Sequence, residues 1–310
     1  MLLFCLILSL DSLLVQGIKL SYEERYDEAE AVFFKVRNKY PDDPAPYFFL
    51  SSLYVAYMTD FGTDSLEDTF IAYIDTTLDK ATCILKRQED AWAYAWKGGG
   101  LIDRAYYKYE KGDILGMLED GVRAVREFNS ALAIDPYIYD AYIGISIYEY
   151  INYRIKKAIP FIGDNNSWRQ RLEIASDSAC FLRVAAKNTL ALLLIEESDW
   201  DEAITILQEL LKEYPDSRTF TWTLAKAYFG KEDWRNAEAV YKRLIHLIKT
   251  GQPDAPYPLV FALDRLAEIY FLAGEYDKCR IEASRMLDIT EGLGDRYNEF
   301  RKKAKKYLTK

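Results

Sequence analysis

The chain has a single histidine in 310 residues, His246. Nucleophilic catalysis built on Ser/His/Asp or Cys/His arrangements has only that residue to draw on. Its position inside a helical phrase reads as a packed or surface histidine. No G-x-S-x-G, no H-E-x-x-H and no glycine loop leading into a Lys-Ser/Thr pair occurs anywhere. The four cysteines, Cys5, Cys83, Cys180 and Cys279, lie far apart with no C-x-x-C pair. A metal site and a thioredoxin-like redox motif are therefore unsupported, and small buried apolar roles are expected. Proline (9) and glycine (15) are scarce, and no Ser/Gly-rich or Pro-rich tract marks a linker between modules. An excess of basic charge is missing too. The formal charge of -9 opposes nucleic-acid binding, which draws affinity from clustered Lys and Arg. The one basic cluster, "RKKAKKYLTK" at the C-terminus, reads as a solvated helix end where cations complement the macrodipole.

The apolar start, "MLLFCLILSL", is about half the roughly 20 residues a membrane-spanning helix needs. No spanning segment is expected. The stretch fits the apolar core of a signal peptide cut near Ile7-Leu8-Ser9, although no Lys or Arg precedes it. Export to the periplasm is the expectation, with a cytoplasmic location as the alternative.

What the chain does have is a folded protein's composition, 50% apolar and 29% charged, and a phrase written repeatedly. "WDEAITILQELLKEYPDS" begins at Trp200 and "WRNAEAVYKRLIHLIKTG" at Trp234, 34 positions later. "YDEAEAVFFKVRNKYPDDP" from Tyr26, "GVRAVREFNSALAIDP" from Gly121 and "YDKCRIEASRMLDI" from Tyr276 follow the same pattern. An aromatic residue or glycine leads, a small residue follows three on (Ala29, Ala124, Ala203, Ala237, Cys279), and a bulky apolar one comes four later (Phe33, Phe128, Leu207, Tyr241). Pro41, Pro136 and Pro215 then stop the helix.

This period and spacing resemble the tetratricopeptide repeat, of bacterial type. The resemblance implies two antiparallel helices per repeat, A and B, with the small residue where backbones approach most closely. Counting back places Gly17 and Leu20; Leu50, Ser51 and Tyr54; Leu190, Ala191 and Leu194; Leu224, Ala225 and Tyr228; and Leu266, Ala267 and Tyr270 at the buried A-helix positions. The expected fold is an all-α, right-handed α-solenoid of about seven antiparallel helix pairs with a C-terminal capping helix. Residues 1–10 form a possible signal-peptide remnant, 11–290 the solenoid, and 291–310 the cap, a helix from about Gly292. Repeats are regular over 181–290 and carry long helices out of register over 60–180. Two alternatives attach to Gly98, Gly99 and Gly100: very close helix contact, or a notch facing a ligand beside Trp96, Asp103 and Tyr106. "IPFIGDNNSW" (159–168) reads as a connection or a binding loop, and "KTGQPDAPYP" stretches one interval from 34 to 42.

The family binds rather than catalyses. Its groove positions fall on Phe48, Phe49 and Ser52, then Asp140, Ile143 and Tyr150, then Asn188, Trp222, Lys226, Asp264, Arg265 and Glu268. A noncatalytic scaffold holding a partner peptide or helix there, without cofactor, metal or nucleic acid, is the expected function. The alternatives are a cytoplasmic regulatory or assembly protein and a small-ligand sensor or enzyme at the glycine run. The Lys and Asn pattern with which chaperone-tail-binding members clamp a carboxylate is replaced by Leu14, Ile18, Phe48 and Ser52. Two aromatic stripes, Tyr139, Tyr142, Tyr150 and Tyr153, and Trp92 and Trp96 with Asp103 and Tyr106, read as packing faces, Tyr150 excepted.

Overall fold

The computed structural model describes residues 10–157 and 167–309. Cys5, the Ile7-Leu8-Ser9 site and most of the 159–168 turn lie outside the described residues. These hold fifteen α-helices, one short 3-10 turn and no strand. The chain divides into two compact units, Met1–Tyr57 with Ser65–Leu190, and Met58–Asp64 with Ala191–Lys310.

The helices run in order as α1 (Leu10–Tyr22), α2 (Tyr26–Lys39), α3 (Ala45–Phe61), α4 (Glu67–Leu85), α5 (Ala91–Glu110), α6 (Ile114–Ile134), α7 (Ala141–Lys157) and α8 (Ser167–Ser178). They continue as α9 (Arg183–Glu196), α10 (Trp200–Glu213), α11 (Arg218–Gly230), α12 (Trp234–Gly251), α13 (Pro256–Leu272), α14 (Tyr276–Thr290) and α15 (Asn298–Leu308). In the first unit α1 packs on α2, and α4 to α8 each on the next; in the second, α10 to α14 do likewise and α15 closes against α13 and α14. Five of the seven expected helix pairs pack directly, α1–α2, α5–α6, α7–α8, α11–α12 and α13–α14, and a terminal helix follows them. The cap begins at Asn298 rather than near Gly292, after a 3-10 turn at Asp295–Tyr297.

One turn geometry makes the hairpins. The residue two before a B helix is left-handed at Glu24, Gly112, Ser198, Glu232 and Gly274, with φ between 58° and 78°. The next amide then reaches back five residues to an orphan carbonyl at the end of the A helix. Arg25 donates to Leu20, Asp113 to Lys108, Asp199 to Leu194, Asp233 to Tyr228 and Glu275 to Tyr270, all at 2.8–3.0 Å. Asp113 and Asp233 also cap the following helix, accepting from Gly116 and Asn236.

The small residues sit where the repeat requires them. Ala29, Ala124, Ala203 and Ala237 are fully enclosed and Cys279 nearly so. A Cβ on Gly17 would lie 2.4 Å from the Phe33 ring, so a bare backbone on α1 accepts an aromatic knob from α2. The glycine run repeats this device. A Cβ on Gly98 would come 2.6 Å from Phe128 of α6, one on Gly144 of α7 2.2 Å from the same ring, and one on Gly99 2.7 Å from Phe48. Close contact is therefore the reason for the glycines. The alternative of a ligand-facing notch is overturned, because rings fill that space. The irregular middle comes from length: α5 and α6 run 20 and 21 residues against 14 for α2 and α10. Gly121 lies two turns inside α6 instead of at its start. The 42-residue interval has the same cause, with α12 and α13 extended to 18 and 17 residues.

In the second unit a buried ion pair ties the short segment to the repeats. Arg218, at the start of α11, donates from Nη2 to Asp60 Oδ2 at 2.5 Å and from Nε to Oδ1 at 3.1 Å. Both side chains are under a tenth exposed.

Candidate functional site

In the second unit the A helices α9, α11 and α13 line a cavity of about 420 Å³, within the ~300–1,000 Å³ range of ligand pockets. Leu192 enters from α9, Trp222, Thr223, Lys226 and Phe229 from α11, Tyr241 from α12, and Phe261 and Arg265 from α13. Helical spacing explains the grouping. Trp222, Lys226 and Phe229 recur at four and three residues along α11, and Phe261 and Arg265 at four along α13, so each set shares one face.

Its walls are aromatic. Trp222 meets Phe261 edge-on at 5.2 Å and Tyr241 at 6.0 Å between centroids. The Arg265 guanidinium lies over the Phe261 ring at 5.2 Å and the Phe229 ring at 5.9 Å, a placement that fixes the cation against apolar surface. Burial pushes the Tyr241 phenol up, keeping it neutral. Two ion pairs stand at the rim: Lys226 Nζ with Glu196 Oε1 at 2.8 Å and Arg265 Nη1 with Glu268 Oε2 at 2.7 Å. All four side chains are about a third to a half exposed, so each pair is weak and exchangeable.

Of the residues expected from sequence, Trp222, Lys226 and Arg265 come together here, with Glu268 bonded to one of them. Asp264 does not join them. It is 1% exposed and its Oδ2 accepts from Lys303 of α15 at 2.8 Å, so it serves to hold the terminal helix. Leu192, Phe229 and Phe261 escaped sequence reasoning. Leu192 is one 34-residue period before Lys226, and Phe261 one helical turn before Arg265, so register alone could have found both.

The expected positions in the first unit are mostly buried. Phe48 and Phe49 pack with Trp96 at 5.3 and 5.5 Å, in a cluster that Trp92 and Phe181 complete. Ile143 is buried, and Tyr150 packs on Trp168 at 5.1 Å, so the tyrosine expected to face a groove faces α8 instead. Asp140 is 5% exposed and accepts from the Cys180, Phe181 and Leu182 amides at 2.8–2.9 Å, holding the start of α9. These side chains leave no open surface for a partner. Ser52 and Asn188 are half-buried, and the Asn188 Oδ1 has no partner among the described residues. Beside the glycine run, Asp103 accepts from the Ser51 hydroxyl at 2.8 Å, and burial pushes its carboxyl up to about 7. His246 is exposed on α12.

Helix hairpins repeated with small-residue contacts and an A-helix cavity define a helical-repeat protein. The tetratricopeptide repeat family model matches residues 194–255, spanning the end of α9 through α12. No curated protein matches the chain. Among solved structures it is similar to a Rap protein complexed with competence and sporulation factor, at TM-score 0.55 and 13% identity over 94% of this chain and 80% of that one. It is also similar to aspartyl phosphate phosphatase F from Bacillus subtilis, at TM-score 0.52 and 14% identity over 98% and 81%. Residues 194–255 thus carry tetratricopeptide repeats, and the helical-repeat fold of the chain is one that in general serves as a scaffold for protein interactions. Among the described residues, no helix is long and apolar enough to cross a membrane.

Proposed function

We propose that the protein is a noncatalytic scaffold that holds a partner's peptide segment in the α9–α11–α13 cavity. The observation that carries this reading is the cavity itself, where partly exposed aromatic and arginine side chains, the residues that dominate binding hot spots, converge from successive A helices. The net charge of -9 favours a protein partner over a nucleic acid. The apolar first residues favour an exported protein, which N-terminal sequencing of the mature chain tests: an intact Met1 in a soluble fraction ends that part of the reading.

A photo-crosslinking residue placed at Phe229 of the full chain, in cells that make the protein, tests the scaffold reading. A control at Ile281, 59% exposed on α14 and away from the cavity, completes it. Discrete adducts at Phe229 and none at Ile281 are expected. Adducts at neither position, or only at Ile281, overturn it.

A further inference from the structure

Hydrogen-bonding capacity around the cavity is lopsided. Arg265 offers five N–H donors, yet only Nη1 is engaged, by Glu268, and among the described residues its Nε and Nη2 have no partner. Lys226 has one acceptor, Glu196, for its three ammonium hydrogens. Among the described residues the Trp222 indole N–H engages no acceptor, and the Thr223 hydroxyl spends its hydrogen on the Thr219 carbonyl at 3.0 Å. The rim's two carboxylates, Glu196 and Glu268, already face these same cations. A ligand that fits must therefore bring acceptors, preferably charged ones. The apolar interior, walled by Trp222, Phe229 and Phe261, must be filled as well, and edge-to-face packing favours another ring there.

On the scaffold reading above, we propose that the cavity is specific for an acidic peptide segment carrying an aromatic side chain beside an Asp or Glu, the ring packing against the wall formed by Trp222, Phe229 and Phe261 and the carboxylate bridging Arg265 and Lys226. Arg265 is the discriminating residue. Its guanidinium, held within 6 Å of two ring centroids, presents its free Nε–Nη2 edge as a fork that matches a carboxylate. Glu268 acts as an internal competitor, holding the neighbouring Nη1 and neutralising the guanidinium until the ligand carboxylate arrives.

The test is a random octapeptide display library panned on the full chain, followed by fluorescence anisotropy with synthetic winners. Enriched peptides are expected to hold an aromatic residue within two positions of an acid. Replacing that acid by its amide isostere should weaken binding roughly tenfold, the scale of one charge-assisted hydrogen bond. Glu268→Gln should tighten acidic peptides several-fold and leave their amide counterparts unchanged, whereas Arg265→Gln should erase the acid preference. Thermal unfolding of both variants guards against a folding defect. Peptides that bind with no acid preference, or an acid preference that survives Arg265→Gln, overturn this inference while leaving the scaffold reading standing. Failure to enrich any peptide overturns both.

Discussion

The glycines of the long α5–α6 hairpin allow a direct contest between helix propensity and packing. Glycine inside a helix is about 1 kcal/mol worse than alanine, so Gly→Ala stabilises where space allows. A methyl added at Gly121 of α6 would have nothing within 4 Å of it, and Gly121→Ala should gain about 1 kcal/mol. At Gly98 the same methyl would meet three Phe128 ring atoms at 2.6, 2.7 and 2.9 Å. The ring cannot retreat, because its far edge already abuts Gly144, where a Cβ would be 2.2 Å away. Overpacking of this kind costs about 1–3 kcal/mol, which exceeds the propensity gain. Gly98→Ala should therefore lose up to about 2 kcal/mol, a swing of roughly 1–3 kcal/mol from the same substitution at Gly121. Adding Phe128→Leu should recover part of that loss, a coupling of about 0.5–3 kcal/mol in a double-mutant cycle. Urea unfolding followed by far-UV circular dichroism measures each variant. Midpoints are compared at equal slope, because repeat arrays can lose two-state cooperativity. If Gly98→Ala gains as much as Gly121→Ala, packing against Phe128 is not why the glycine is there.

The left-handed turns give a second test. Gly274 has φ 76° and open space around it, so Gly274→Ala isolates backbone strain and should lower the thermal midpoint by the equivalent of about 1 kcal/mol. Ser198→Gly and Glu232→Gly, at φ 67° and 60°, should raise it by about 0.5 kcal/mol each, strain relief being partly offset by a freer unfolded chain. Unchanged midpoints in all three would contradict the turn geometry. Asp103 supplies a pH dependence: its carboxyl titrates at about 7 in the fold, above its ordinary 3.8. Between those values the folded state holds a proton that the unfolded state has lost, so stability falls as pH rises toward 7. Asp103→Asn should remove that slope and stabilise the protein at pH 8 by about 2 kcal/mol relative to pH 5, an order-of-magnitude figure; an unaltered pH profile of unfolding would rule it out.

The repeat was legible because it is written in short-range spacing. Ala203 and Ala237 lie one period apart, and Pro215 marks the end of α10, so hairpin, contact point and stop all show within a few turns. The glycine run resisted alignment because α5 and α6 are longer than the phrase. Gly98 stands to Phe128 as Gly17 stands to Phe33, but the aromatic partner is 30 residues away instead of 16. The candidate site was half legible for a related reason. Trp222, Lys226 and Arg265 follow from register within regular repeats. In the first unit, register places Phe48, Phe49 and Asp140 equally well on the A helices, yet Phe181 and the start of α9 arrive from distant sequence and cover them. Exposure is a property of what lands on a face, and local pattern does not carry it.

The pairing of Arg218 with Asp60 spans 158 residues and bears on where this protein can be divided. Cutting at Ala191 would give a fragment containing α10 to α15 and every residue that lines the cavity, and would look like a natural module. It would also take the Asp60 carboxylate away from a guanidinium that is under a tenth exposed, and breaking a buried pair by removing one member costs on the order of 3–5 kcal/mol. The seven residues from Met58 to Asp64 are thus a missing piece that no inspection of the downstream half would reveal, and any excised version must either carry them or replace Arg218.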